Sequence, residues 1–342
     1  MKKTIFTILA AASIVACTKS DVVDVLAPEA IAFDNAFVDN ATKAIDATLN
    51  TNTLTTFNVY GTVTGTSTGE GTVNIFKGVE VKKGTAETGA VTSGNWWYSG
   101  TYTQYWIAGN AYKFAAVVNG TANLGDYDMP TTLSYNAEAQ SDLLYAEHSV
   151  DSYAATTESD VVKFTFDHLL AKAYFTFQNT MISNVVGNVY AYKISDVKIT
   201  NAYKAGTYTI ADKKWAVTTG DDARYAVQFG NISNASVSTD GTDAVAVGAI
   251  GTTASATSHN QMLLIPNKYT DMVITCKVET LLNGTVIDTE ETHTITPSEI
   301  NLEAGKAYNF IFTKGNPGET IKFSVAAVTA WDETHDNYNQ NL

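Results

Sequence analysis

Apolar and polar residues alternate with a period of two through most of this chain. The alternation is clearest in residues 57–63, 112–117 and 162–166, where threonine, tyrosine, valine and phenylalanine predominate. These residue types suit a pleated strand that is buried on one face. Glycine and asparagine separate the alternating segments at short intervals, and Asn283-Gly284 has the form of a tight hairpin turn. Many short strands divided by turn residues predict an all-β fold built from sandwiches.

The length of the chain, 342 residues, favours two domains over one. A polar, turn-rich stretch covers residues 151–160, and we expect the boundary between the domains near its middle. The N-terminal sandwich is therefore predicted over residues 51–155 and the C-terminal sandwich over residues 156–342.

A hairpin is predicted at the start of the second domain. Residues 161–166 and 175–177 are its expected strands, and residues 167–172 are its expected turn. Within the first strand, the two-residue period predicts that Phe164 and Phe166 face the same core.

The first 17 residues have the character of an export signal. An apolar run at 5–15 follows a basic start and is shorter than the roughly 20 residues that a membrane-spanning helix needs. The run leads through small residues into Cys17, which resembles the lipobox of bacterial lipoproteins. We expect residues 1–16 to be removed as a signal peptide and Cys17 to carry lipid that anchors the protein in the outer membrane. A plain signal peptide beside an unrelated cysteine is the alternative.

Cysteine use excludes a disulfide framework. The chain has 2 cysteines, so lipidation of Cys17 would leave Cys276 as the remaining thiol. Cys276 lies in an apolar segment at 272–278 and is expected to act as a small apolar strand residue rather than as a nucleophile.

Charge and motif content exclude several functional classes. The formal net charge is −14, which argues against a nucleic-acid partner because phosphates would be repelled. Nucleophile-elbow, zinc-protease, CxxC, P-loop and dinucleotide motifs are all absent from the sequence. The polar cluster at 332–336 is expected to be a solvated tail rather than a cation site. The sequence therefore predicts no enzyme, no cofactor and no metal site.

An unusual concentration of aromatic residues lies between positions 96 and 112. Its members are Trp96, Trp97, Tyr98, Tyr102, Tyr105, Trp106 and Tyr112. Exposed and coplanar rings would form a glycan-binding surface, whereas buried rings would be core and strand-pairing residues. We expect burial, and the exposure of Trp96, Trp97 and Trp106 distinguishes the two interpretations.

Several segments, taken in their order after the lipobox, resemble elements of the fimbrillin family (Mfa-like, type V pilin) of Bacteroides-type bacteria. These segments are 31–33, 54–61, 97–116, 142–146, 164–172, 263–267, 304–308 and 321–331. The resemblance implies a lipoprotein with two tandem β-sandwich domains of transthyretin-like topology.

The resemblance also implies a strand that leaves its domain. In polymerising members, proteolysis releases the N-terminal strand, which here corresponds to Ile31 and Phe33 within a tether at 17–50. Cleavage commonly follows an arginine, whereas this sequence has Lys43-Ala44 at the corresponding place. Lys43 suits a trypsin-like protease and not an arginine-specific one, and an ordinary loop lysine is the alternative interpretation.

A C-terminal strand of the next subunit fills the vacated groove in such members, by strand addition. The terminal strand at 321–331 is the expected donor, because Ile321, Phe323 and Val325 alternate onto one face. This strand is expected to belong to the C-terminal sandwich before exchange.

The function that follows is that of a structural subunit of a type V pilus on the cell surface, serving adhesion. Its expected partners are other pilin subunits, the outer membrane through the lipid anchor, and a host protein or glycan ligand. Two alternatives stay open: a pilus anchor or tip subunit that does not polymerise, and a surface glycan-binding lipoprotein.

Overall fold

The computed structural model of the chain describes residues 28–38, 53–65, 71–154, 160–179, 190–220, 222–228, 244–247, 262–315, 319–325 and 329–330. Strands dominate this part of the chain, and the helical elements in it are three single 3₁₀ turns at Gly100–Tyr102, Asp126–Asp128 and Ala137–Ala139. The predicted all-β class is confirmed.

The strands, in chain order, are β1 (Ala32–Val38), β2 (Thr56–Thr64), β3 (Thr72–Lys83), β4 (Val91–Ser93), β5 (Trp96–Tyr98), β6 (Ala111–Val118), β7 (Thr121–Leu124), β8 (Pro130–Asn136), β9 (Leu144–Val150), β10 (Val161–His168), β11 (Ala171–Asn179), β12 (Tyr190–Tyr203), β13 (Ala205–Thr209), β14 (Lys214–Val217), β15 (Arg224–Gln228), β16 (Ala244–Val247), β17 (Met262–Leu264), β18 (Lys268–Tyr269), β19 (Ile274–Leu282), β20 (Thr285–Ile295), β21 (Ile300–Asn301), β22 (Lys306–Lys314), β23 (Lys322–Val325) and β24 (Thr329–Ala330).

The largest sheet has eight strands in the order β1-β10-β9-β6-β2-β3-β5-β4. β1 runs parallel to β10, and the remaining neighbours are antiparallel. The two ends of the sheet meet, since β1 packs against β4 and β5. The sheet therefore curls around one core, whose inward side chains include Phe57, Phe76, Phe114 and Phe164.

A second sandwich packs two sheets face to face. One sheet has the order β16-β11-β22-β23, with β17 also on β11 and β24 also on β22, and the other has the order β15-β12-β19-β20. Phe175, Phe310 and Phe312 of the first sheet meet Ile274 and Cys276 of the second in a common core. Cys276 is fully buried, and this burial raises the pKa of its thiol to about 12. The expectation of a structural strand residue at Cys276 is confirmed.

The predicted turn at Asn283-Gly284 joins β19 and β20. Leu282 pairs with Thr285 across the turn. Asn283 and Gly284 have φ angles of 50° and 81°, and such positive values at both central positions define the turn that matches the twist of a hairpin.

A third core joins the two halves of the chain. Its four-stranded sheet has the order β14-β13-β8-β7, so β8 of the N-terminal half pairs with β13 of the C-terminal half. Leu133 and Leu143 pack there with Leu169, Leu170 and Leu263. The division of the chain at residue 155 stays a prediction, although β10, assigned to the C-terminal domain, pairs with β1 and β9 of the curled sheet.

The predicted hairpin across residues 167–172 is wrong. β10 pairs with β1 and β9, whereas β11 pairs with β16, β17 and β22. Leu169 and Leu170 between them are buried in the third core, so the chain passes through the molecule instead of turning at its surface. The facing of β10 is as expected, because Phe164 and Phe166 are 1% and 0% exposed.

A buried contact between a histidine and an aspartate lies at the same crossing. The Nδ1 atom of His168, at the end of β10, is 2.8 Å from Oδ2 of Asp142, and the two side chains are 2% and 0% exposed. The two residues come from separate sequence segments, 142–146 and 164–172, which the fold brings together. Such a pair helps to fix the position where the chain leaves the curled sheet, because a buried polar side chain is costly without a partner.

Candidate functional site

β1 and the residues that lead into it have partners on both sides. On one side it pairs with β10, with Ala32 opposite Val161 and Phe33 opposite Val162. On the other side the Ile31 N–H donates to the carbonyl oxygen of Gln104 over 2.8 Å. The sequence placed Ile31 and Phe33 in one strand of the N-terminal half, but the second neighbour, residues 91–106, is a long-range contact that no local pattern indicates.

The seat of β1, meaning the part of the core that receives Ile31, Phe33 and Ala36, is apolar and aromatic. These side chains are 0%, 2% and 3% exposed. The Phe33 ring stacks on Phe164 with the centroids 6.0 Å apart, and it meets the Phe76 ring edge-on at 5.4 Å. Burial of an isoleucine or phenylalanine side chain is worth about 1.5–3 kcal/mol. Departure of β1 would therefore expose a deep apolar slot.

Polar groups close the seat at its rim. The Tyr98 hydroxyl donates to the carbonyl oxygen of Ile31 over 2.7 Å, and burial raises the pKa of that phenol above its usual value. The Ser93 hydroxyl donates to Oδ2 of Asp34 over 3.1 Å. These hydrogen bonds would be lost if β1 left the seat. The strand beside it would then have unpaired main-chain groups that could pair with another strand.

A second set of hydrogen bonds holds Glu29, which precedes β1. The carboxylate of Glu29 accepts from the Asp160 N–H over 3.0 Å and from the Tyr153 hydroxyl over 3.3 Å. The main-chain carbonyl of Glu29 accepts from the Trp106 N–H over 2.9 Å. The predicted lipidation residue, Cys17, and the candidate processing residues, Lys43 and Ala44, lie outside the described residues on either side of this segment.

The expected donor strand occupies a much more open position. β23 pairs with β22 at the edge of its sheet, with Phe323 opposite Phe312. The Phe323 ring is half-buried against Phe310 and Phe312, at centroid distances of 5.7 and 5.3 Å. Val325 is 38% exposed, and a cleft of about 370 Å³ separates β23 from residues 295–300. The two-residue period of a strand puts Ile321, Phe323 and Val325 on one face. That face covers the core of the C-terminal sandwich incompletely.

The aromatic run is mostly core. Trp96 and Trp106 are buried, and Trp97 is half-buried with the Lys82 ammonium 5.4 Å from its ring centroid. The tryptophans therefore do not form an open platform, and the expectation of burial is confirmed for two of the three. Tyr102 and Tyr105 are exposed.

In the described ranges, no group of three or more His, Cys, Asp or Glu side chains is placed to hold a metal ion. No helix in this part of the chain has the length and hydropathy that a membrane span requires.

Comparison with known proteins gives one family and a set of similar folds. The family model described as fimbrillin-like matches residues 42–331. No curated protein matches the chain.

Among solved structures, a Bacteroides ovatus protein assigned to cell adhesion is similar at 16% identity with a TM-score of 0.51, and the match covers 89% of this chain and 98% of that one. A fimbrial protein from Bacteroides vulgatus is similar at 17% identity with a TM-score of 0.51, over 80% of this chain and 92% of that one. At these identities the likeness concerns the fold.

Proposed function

Because the chain belongs to the fimbrillin-like family, we propose that it is a structural, non-enzymatic subunit of a type V pilus at the cell surface, where it serves adhesion. It is exported as a lipoprotein, attached through Cys17 to the outer membrane, and assembled by exchange of β1 for a strand of another subunit. Its partners are other copies or other pilin subunits, together with a host protein or glycan.

The observation that carries this proposal is the contrast between the two strands. β1 fills an aromatic seat and joins the two ends of a curled sheet, whereas β23 lies at an edge with Phe323 only half-buried. Removal of β1 creates an acceptor that is more apolar than the position that β23 leaves. A head-to-tail contact of this kind does not close on itself and so builds a filament.

Processing after Lys43 is the proposed trigger. Cleavage there separates residues 17–43, which include β1, from the rest of the subunit. Held then only by non-covalent contacts, β1 can leave the seat permanently. An uncleaved chain keeps β1 tethered to its own domain and behaves as an anchor or a tip.

The test uses purified mature protein carrying Cys17→Ser, so that no lipid is present. Limited trypsin treatment is expected to produce ladders that resist detergent without heating, and Lys43→Gln is expected to stay monomeric. Lys163→Gln removes an exposed lysine on β10 and is the matched control, which should still assemble. If cleaved and intact protein both elute as monomers at high concentration, the shaft-subunit proposal fails and the anchor or tip role replaces it.

The glycan-binding alternative has weaker support. Burial of Trp96 and Trp106 removes the surface that suggested it. The exposed pair Tyr102 and Tyr105 is the remaining place where a sugar ring could stack, and glycan-array binding that both Tyr→Ala changes abolish would favour that function.

A further inference from the structure

The residues of β1 that fill its seat recur near the C-terminus. The pattern Ile-x-Phe occurs twice in the chain, at 31–33 and at 321–323. With an offset of 290 residues, segment 31–38 aligns with segment 321–328, and four of eight positions are identical. The identical pairs are Ile31 and Ile321, Phe33 and Phe323, Ala36 and Ala326, and Val38 and Val328.

The identities coincide with the contacts of the seat. Ile31, Phe33 and Ala36 all belong to the aromatic core of the curled sheet, with exposures of 0%, 2% and 3%. Asp34, which differs, is only half-buried and faces the rim. The second segment therefore repeats the three residues that fill the seat, although it has Lys322 in the position of the buried Ala32.

We infer that segment 321–328 of a neighbouring copy enters the seat in this register, with Ile321 in the place of Ile31, Phe323 in the place of Phe33 and Ala326 in the place of Ala36. This inference rests on the strand exchange proposed above and specifies its partner and its register. The incoming strand runs parallel to β10, as β1 does.

A register shifted by two residues satisfies the same alternation but fits poorly. It places Phe323 where Ile31 lies and Val325 where Phe33 lies. Valine cannot reach the rings of Phe76, Tyr98, Phe114 and Phe164 that surround Phe33, so a cavity would remain. Phenylalanine would overpack the site of Ile31. The matched register conserves side-chain volume at all three positions.

The exchange also improves the burial of the donor. Phe323 is half-buried on its own sheet edge and would take a site where phenylalanine is 2% exposed. Lys322 opposes the exchange. It is exposed on β23, and in the seat it would take the buried position of Ala32, which is 7% exposed. The register therefore predicts that Lys322→Ala assembles faster than the parent protein.

Paired cysteines measure the register directly. In β1, Asp34 lies opposite Lys163 and Ala32 lies opposite Val161. The matched register therefore brings Ser324 of the incoming strand opposite Lys163, and the shifted register brings it opposite Val161. A shift of two residues moves a strand by about 6.6 Å, which carries a pair beyond the roughly 7 Å Cα separation that a disulfide tolerates.

The experiment compares two double variants of mature Cys17→Ser protein after cleavage and mild oxidation. The first variant carries Lys163→Cys and Ser324→Cys, and the second carries Val161→Cys and Ser324→Cys. Asp34→Cys with Lys163→Cys in uncleaved protein is the positive control, since that pair is adjacent within one chain. Cys276 is fully buried with a raised pKa and adds no background.

The first variant is expected to form an intermolecular disulfide and so to give a ladder that survives heating and collapses on reduction. The second variant and the uncleaved protein are expected to form no such disulfide. A cross-link in the second variant alone overturns the register and leaves strand exchange standing. A ladder without either cross-link overturns both the register and the donor. Absence of any ladder overturns the proposed function with it.

Discussion

Phe33 contacts four aromatic rings, and each ring belongs to a different strand: Phe164 on β10, Phe76 on β3, Tyr98 on β5 and Phe114 on β6. One side chain therefore connects the two ends of the curled sheet to its middle. At the scale of single residues, aromatic packing rather than ion pairing holds the N-terminal half together, since edge-on and offset rings add to the burial of their area.

Phe166 on β10 tests this view of the core. It is fully buried and lies 5.5 Å from Phe57, measured between ring centroids. Phe166→Ala is expected to lower the free energy of unfolding by about 3–5 kcal/mol, because it leaves a cavity among rings that cannot collapse. Denaturant unfolding followed by intrinsic fluorescence measures the loss.

Thr165→Ala is the matched control for this change, because Thr165 is the exposed neighbour on the same strand. A denaturant midpoint for Phe166→Ala that equals that of the parent protein would contradict the assignment of β10 to the core.

The elements differ in how firmly they are attached. Both strands lie at the end of a sheet, but residues 29–31, which lead into β1, are also bonded to residues 104–106, whereas β23 lies next to a cleft. Local opening of an element depends on such contacts, and edges open first. In the proposed exchange the element that leaves is therefore the more deeply buried one, which is the reason for proposing proteolysis as its trigger.

Tyr98 is expected to control the opening of β1. Tyr98→Phe removes the hydroxyl that donates to the Ile31 carbonyl oxygen. Losing this hydrogen bond lowers the free energy of opening β1 by about 0.5–1.5 kcal/mol, so the β1 amides should exchange their hydrogens roughly two- to tenfold faster. Tyr105→Phe, on an exposed ring, is the control and should leave the exchange rates as they are. Equal rates in all three proteins would show that the Tyr98 bond does not hold β1.

Sequence periodicity predicted the facing of β10 and the hairpin turn at Asn283-Gly284, because both depend on residues close together in the chain. It failed for the pairing of β10 and β11, since alternation shows which face is apolar but not which strand lies alongside. The two adjacent leucines, Leu169 and Leu170, were the available signal against a surface turn. The seat of β1 required the family resemblance, and its closure by residues 91–106 could not be predicted locally.

At the scale of the whole molecule, the third core couples the two halves. β8 pairs with β13, and Leu143 packs with Leu169 and Leu263. In the proposed filament, this connection would transmit tension between the acceptor seat in one half and the donor strand in the other. The buried pair of Asp142 and His168 lies at the same junction.

The proposed anchoring through Cys17 is a separate property of the whole chain. Cys17→Ser is expected to release the protein from washed membranes, because acyl chains contribute about 0.8 kcal/mol of binding per buried methylene. Immunoblotting of membrane and soluble fractions, with a Cys276→Ser variant as control, measures the effect. A Cys17→Ser variant that stays with the membranes would show that another element binds them.

Strand exchange as proposed here leaves the assembled subunit without β1, so the N-terminal residue of the polymer is the decisive measurement. Pili sheared from cells and denatured can be analysed by N-terminal sequencing and mass spectrometry. We expect the subunit in the polymer to begin at Ala44. A polymer whose subunits begin at lipid-modified Cys17 and retain residues 31–38 would contradict it.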